Sequence, residues 1–178
     1  MRHHVIIVNG PPAAGKTSVT AELRRLAPSC VAIAGDVLRA FAPVDVRAQL
    51  GGGATYRAAG ALARAYLDLG AERVIFDYLC SRAAHLRYFS EALPEGTELR
   101  VFTLWPPLET LLERERVRQA RIISDTREGV QRPGVADCYR EMAANLPSLG
   151  ETLDTAELSP ALAAGLIHER CSPLAPHL

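Results

Sequence analysis

The run Gly10-Pro11-Pro12-Ala13-Ala14-Gly15-Lys16-Thr17 matches G-x-x-x-x-G-K-[ST] at every fixed position. Glycines let such a loop curl so that successive backbone N–H groups, with those opening the next helix, surround a polyphosphate. On this reading the loop from Gly10 through Ser18 cradles the phosphates of ATP. Lys16 reaches the β- and γ-phosphates, and the Thr17 hydroxyl ligates Mg²⁺. A turn that used Gly and Pro for geometry alone would have no need of Lys followed by Thr. The chain carries nineteen Arg and only this one Lys. A compact ammonium enters a closed backbone cage where a planar guanidinium does not fit, which accounts for the exception.

Further residues could serve the same chemistry. Asp36 follows the second apolar run, and in a parallel sheet the carboxyl ends of strands line the ligand crevice. A carboxylate there can take or orient the proton of an attacking hydroxyl. Its other reading is an N-cap on a helix over 37–41. Asp77 closes the third run and can hold Mg²⁺, contact the substrate, or simply form a turn. Arg114, Arg118 and Arg121 stand at i, i+4 and i+7, one face of a helix that continues past the packed Leu108, Leu111 and Leu112. As a lid they would close over ATP and neutralise charge on the moving phosphoryl group. The bland alternative is a solvated face with Glu113–Arg116 and Glu115–Arg118 pairs. The segment 44–57, with Gly51-Gly52-Gly53, Tyr56 and Arg57, borders an acceptor site or is an ordinary surface loop.

Positioning these groups requires strands that alternate with helices. Short β-rich runs fall at 5–9, 30–34, 73–77, 99–104 and, weakly, 151–154, separated by segments of helical spacing. Val19, Leu23 and Leu26 form one stripe; Ala58, Leu62, Tyr66 and Leu69 form another. Doubly apolar short strands predict a parallel sheet buried on both faces. The expected architecture is a single α/β domain over 1–170, five parallel strands flanked by helices, with an Arg-bearing lid at about 114–132 and a loose tail at 171–178.

Composition removes other classes. At 178 residues the chain holds one domain. Twenty basic residues balance twenty acidic ones, so no global field draws it to nucleic acid or an anionic membrane. No apolar run approaches the roughly 20 residues of a spanning helix, and the N-terminus lacks a signal-peptide pattern, so the expected location is the cytoplasm. Cys30, Cys80, Cys138 and Cys171 lack metal or redox spacing and read as thiols outside the chemistry. A GTPase would need N-K-x-D, which is impossible without a second Lys, and a D-x-x-G that Asp77-Tyr78-Leu79-Cys80 does not supply. An AAA module is expected to be longer than this chain.

The chain resembles P-loop small-molecule kinases, most nearly the chloramphenicol phosphotransferase-like family. The resemblance rests on Val8-Asn9-Gly10 leading into Ala14-Gly15-Lys16-Thr17, on Gly35-Asp36, on Ile75-Phe76-Asp77, on Arg114-Glu115-x-x-Arg118-x-x-Arg121, and on Leu153-Asp154-Thr155 with Ser159-Pro160. It implies a nucleotide-kinase sheet, ATP donating its γ-phosphate to a hydroxyl, Asp36 as general base, Arg118 and Arg121 in the lid, and the loop after Asp154 near adenine. One departure is Arg39, a helical turn after Asp36, a pattern more like polynucleotide and zeta-toxin-like kinases, where it meets substrate phosphate. The leading expectation is an ATP- and Mg²⁺-dependent kinase for a small organic acceptor, such as an antibiotic or other natural product, with Asp36, Arg39, Arg57 and Asp77 on the substrate side. A kinase for nucleotide or polynucleotide 5′-hydroxyls is the alternative. A module that binds ATP without turnover is a third reading.

Overall fold

The computed structural model describes residues 3–122 and 134–171. Five strands, β1 (His4–Asn9), β2 (Val31–Ala34), β3 (Arg73–Asp77), β4 (Glu98–Leu104) and β5 (Glu151–Leu153), form one sheet in the order β2-β3-β1-β4-β5. Every adjacent pair is parallel. The helices are α1 (Lys16–Leu26), α2 (Gly35–Ala40), α3 (Val44–Leu50), α4 (Ala54–Asp68), α5 (Ala83–Ser90), α6 (Leu108–Ile122), α7 (Val135–Ala143) and α8 (Pro160–Cys171). The expected single α/β architecture is the one found.

Side-chain alternation along the strands builds two cores. Ile6 and Val8 of β1, Ile75 of β3, and Phe102 and Leu104 of β4 pack on one face with Val19 and Leu23 of α1, Leu111 of α6 and Ile167 of α8. Val5, Ile7, Val74 and Phe76 pack on the other with Ala59, Ala63 and Leu67 of α4 and Phe89 of α5. A sheet covered on both faces needs apolar residues at successive strand positions, which is why these strands read as continuous runs. Burying each of these large side chains contributes about 1.5–3 kcal/mol relative to exposure. No helix among the described residues is long and apolar enough to cross a membrane.

The structure corrects several local expectations. The buried stripe of α4 is Tyr56, Ala59, Gly60, Ala63 and Leu67 rather than Ala58, Leu62, Tyr66 and Leu69. Leu69 is 82% exposed. Small residues decide this: Gly60 lies so close to α5 that an added Cβ would meet the Phe89 carbonyl, so the helix packs on its narrowest face. In α1 the outer member of the predicted stripe, Leu26, is exposed. β2 starts at Val31 because the Cys30 N–H bonds back to the Ala27 carbonyl and closes a turn. β5 stops before Asp154, whose Oδ1 accepts the Ala156 N–H at 2.9 Å and turns the chain.

Candidate active site

The site gathers at the carboxyl end of β1, where the chain leaves through α1 towards the β2 edge of the sheet while the neighbouring β4 leads on towards the β5 edge. The loop after β1 bends through positive φ at Gly10 (146°), Ala13 (65°) and Gly15 (94°). A Cβ on Gly10 would lie 2.7 Å from the Leu104 carbonyl oxygen, so both φ and space demand glycine there. Gly15 precedes α1 in left-handed geometry and no side chain caps the helix, which leaves its first-turn N–H groups to a ligand. Lys16 Nζ donates to the Gly10 and Pro11 carbonyls at 2.9 and 3.0 Å. Burial pushes its pKa down, against the opposing pull of Asp36 and Asp77.

A cavity of about 630 Å³ opens beside this loop and is lined by Lys16, Thr17, Ser18, Asp36, Arg39, Asp77, Arg114 and Arg118 together. Residues named from sequence for phosphate, acceptor and metal work thus share one wall system. Asp77 is only 6% exposed. Burial raises its carboxyl pKa, while the Lys16 ammonium and the Thr20 hydroxyl act against the rise. A buried carboxylate and an exposed hydroxyl on one cavity suit a hard divalent cation that completes its shell with phosphate oxygens and water. Thr17 and Asp77 would hold Mg²⁺.

Asp36 is exposed to this cavity and is not a helix cap. α2 begins at Gly35, before the expected 37, and its N-cap is Ala34, so Asp36 sits within the first turn. Gly35 makes the early start possible, because an added Cβ would lie 2.3 Å from the Tyr78 ring. Arg39 follows one turn later on the same cavity, and Arg47 of α3 donates to its carbonyl at 3.1 Å. Arg57, expected on the substrate side, is not among the cavity's lining residues. Its guanidinium lies over the Tyr88 ring, 4.0 Å from the centroid, and 3.6 Å from Glu91. The register of α4 explains this, since turning Tyr56 inward turns Arg57 outward.

The arginines of α6 divide their roles. Arg114 Nη2 donates to the Thr155 and Ala156 carbonyls at 2.8 and 3.2 Å, tying α6 to the loop between β5 and α8. Arg118 lines the cavity and donates to Glu115 at 2.9 Å. The surface pair Arg116–Glu113 is also formed, at 2.8 Å. Both ion pairs of the bland reading are therefore formed, and Arg118, a member of one of them, also lines the cavity. The side chain of Arg121, lid residues 123–132 and tail residues 172–178 lie outside the described residues.

Sequence reasoning gave no site role to Tyr78, Leu79 or Cys138, which also line the cavity, as does Thr155 of the loop after Asp154. Tyr78 was within reach, because it directly follows Asp77 at a strand's carboxyl end. Nothing in the spacing of α7 marks Cys138. Its thiol pKa is raised by burial and by Glu141.

Asn9, quoted above only as part of the resemblance, has a bonding role that the sequence did not reveal. It is fully buried, its Oδ1 accepts the Cys80 N–H at 2.8 Å, and its Nδ2 donates to the Cys80 carbonyl at 3.1 Å and to Thr103 Oγ1 at 3.0 Å. The side chain continues the β1–β3 pairing past its last rung at Val8 and Asp77, and so fixes the Tyr78–Leu79 wall relative to the phosphate loop. Asn9→Ala strands both Cys80 backbone groups without partners. A loss of about 2–4 kcal/mol is expected in urea-unfolding free energy.

A cleft over a glycine-lysine loop, in a parallel sheet of order 2-3-1-4-5, defines a P-loop kinase-like domain. The chain belongs to the AAA domain family, whose sequence model matches residues 5–133. The match lies within this one small domain, so length does not separate the chain from that family, contrary to the expectation above. Among solved structures it is similar to a tunicamycin resistance protein of Deinococcus radiodurans, at 22% identity over 93% of this chain and 94% of that one, with a TM-score of 0.65. A sugar kinase from Janibacter is 18% identical over 97% of each chain, with a TM-score of 0.62. Shikimate kinase from Acinetobacter baumannii is 16% identical over 96% of this chain and 93% of that one, with a TM-score of 0.55. No curated protein matches the sequence.

Proposed function

We propose that the chain is a phosphotransferase that moves the γ-phosphate of ATP to a hydroxyl of a small organic molecule. The observation that carries this is the single cavity in which the phosphate loop faces a carboxylate, Asp36, across space flanked by Arg39 and Arg118. The loop N–H groups and the α1 N-terminus hold the polyphosphate, and Lys16 exchanges the Gly10 and Pro11 carbonyls for phosphate oxygens. The acceptor oxygen attacks the γ-phosphorus in line and the bond to the β,γ-bridging oxygen breaks. ADP keeps that electron pair, and the hydroxyl proton passes to Asp36. Lys16 and Arg118 stabilise charge on the transferred group. Mg²⁺ held by Thr17 and Asp77 would supply charge neutralisation to the polyphosphate.

The likeness to a sugar kinase, a shikimate kinase and a tunicamycin resistance protein supports a small hydroxylated acceptor, an antibiotic or other natural product among them. Arg39 on the cavity supports a second reading, a 5′-hydroxyl kinase for nucleotides, although balanced net charge gives no track for a long polynucleotide. An acceptor screen containing small alcohols and a 5′-hydroxyl oligonucleotide, read by product mass, separates the two. Phosphorylation of the oligonucleotide alone would replace the first reading with the second.

A further inference from the structure

A second cavity, of about 400 Å³, adjoins the first and shares the walls Tyr56, Leu79 and Cys138 with it. Its floor is rigid. The Tyr56 and His85 rings stack at 4.3 Å and 10°, and the Tyr56 hydroxyl donates to the Leu79 carbonyl at 2.6 Å. Such a preformed wall loses little freedom when a ligand arrives.

The charges around it are already matched. Glu141 Oε1 accepts from Arg82 Nε at 2.6 Å, and Asp137 pairs with Arg140 at 3.0 Å. His85 Nδ1 accepts the Ser81 N–H at 3.2 Å, so its own proton stands on Nε2. Burial, reinforced by Arg82 and opposed by Glu141, holds its pKa below the ordinary imidazole value and keeps it uncharged near pH 7. The cavity therefore offers donors (His85 Nε2–H and further Arg82 N–H groups) and an acceptor (the second Glu141 oxygen), with each carboxylate committed to an arginine. An ammonium would compete with Arg82 and Arg140, and an anion would meet Glu141 and Asp137. A hydroxyl both gives and takes a hydrogen bond, and so satisfies the set without displacing an ion pair.

We propose that this second cavity is a subsite for an uncharged, polyhydroxylated part of the acceptor, reached from Asp36 past Tyr56 and Leu79. The inference rests on the kinase reading and deepens it: the acceptor spans both cavities, and its distal part is a sugar-like polyol.

The test uses the full chain and four probes: glucose, the neutral disaccharide maltose, a cationic aminoglycoside and glucuronate. Binding is followed at the His85 imidazole by NMR, and transfer by the KM for each probe. Maltose should shift the His85 signals saturably and show a KM about tenfold below that of glucose, the worth of one or two net hydrogen bonds. Glu141→Leu and His85→Leu should each erase that difference while the Kd for ATP stays unchanged; Glu141 is exposed enough that its variant should fold even if the His85 variant does not. Tighter binding of the aminoglycoside or glucuronate, a maltose advantage that survives Glu141→Leu, or a silent His85 would each overturn the subsite. Transfer to alcohols without any maltose advantage would uphold the kinase and overturn the subsite. Maltose binding at His85 without transfer to any alcohol would overturn the kinase reading, and the acceptor role with it.

Discussion

Lys16→Ala is expected to lower the rate of phosphoryl transfer by about 10²–10³, the scale for losing one preorganised group that meets charge developing in the transition state. The loop backbone and the uncapped α1 N-terminus remain in that variant, so ATP should still bind and the loss should fall mainly on the single-turnover rate. Lys16→Arg should be nearly as damaging. Lys16 Nζ reaches two carbonyls of its own loop at 2.9 and 3.0 Å, a cage sized for a compact ammonium. Full activity in the arginine variant would remove the reason given for the chain's single lysine.

Asp36→Asn should reduce transfer by about 10²–10⁴ at saturating ATP, the range for losing a positioned general base. Asparagine keeps the shape of the side chain in the first turn of α2 and removes its basicity. If Asp36 served only to complement the helix end, the change would touch stability by about 0.3–1 kcal/mol and leave transfer intact. The two roles therefore differ by orders of magnitude in one assay. Circular dichroism and the Kd for ATP should match the unsubstituted protein.

Much of this site was legible because strand ends and a loop motif place residues directly. Asp36 and Asp77 each end or follow an apolar run, and once the sheet is parallel both must come to the same edge as the phosphate loop. Arg114 and Arg118 were found by helical spacing, yet spacing could not say that Arg114 would be occupied with the Thr155 and Ala156 carbonyls. That depends on where β5 and α8 leave their loop, a long-range fact. Arg57 was misplaced because the buried face of α4 is chosen by Gly60 against Phe89, and a glycine adds nothing to an apolar stripe. Asn9 was hidden for a related reason: its partners lie 71 and 94 residues away, and only the folded sheet brings them together.

The central claim is that the γ-phosphate goes to an acceptor hydroxyl under the control of Asp36. Its most direct test incubates ATP labelled in the γ-phosphate with the full chain, Mg²⁺ and a panel of saccharides, nucleosides, simple alcohols and antibiotics, and counts label on the acceptor against ADP formed. The predicted result is one labelled phosphoryl group on an acceptor for each ADP, with both lost together in Asp36→Asn. ADP appearing at one rate whatever the acceptor, water included, would contradict it, as would tight ATP binding with no ADP at all.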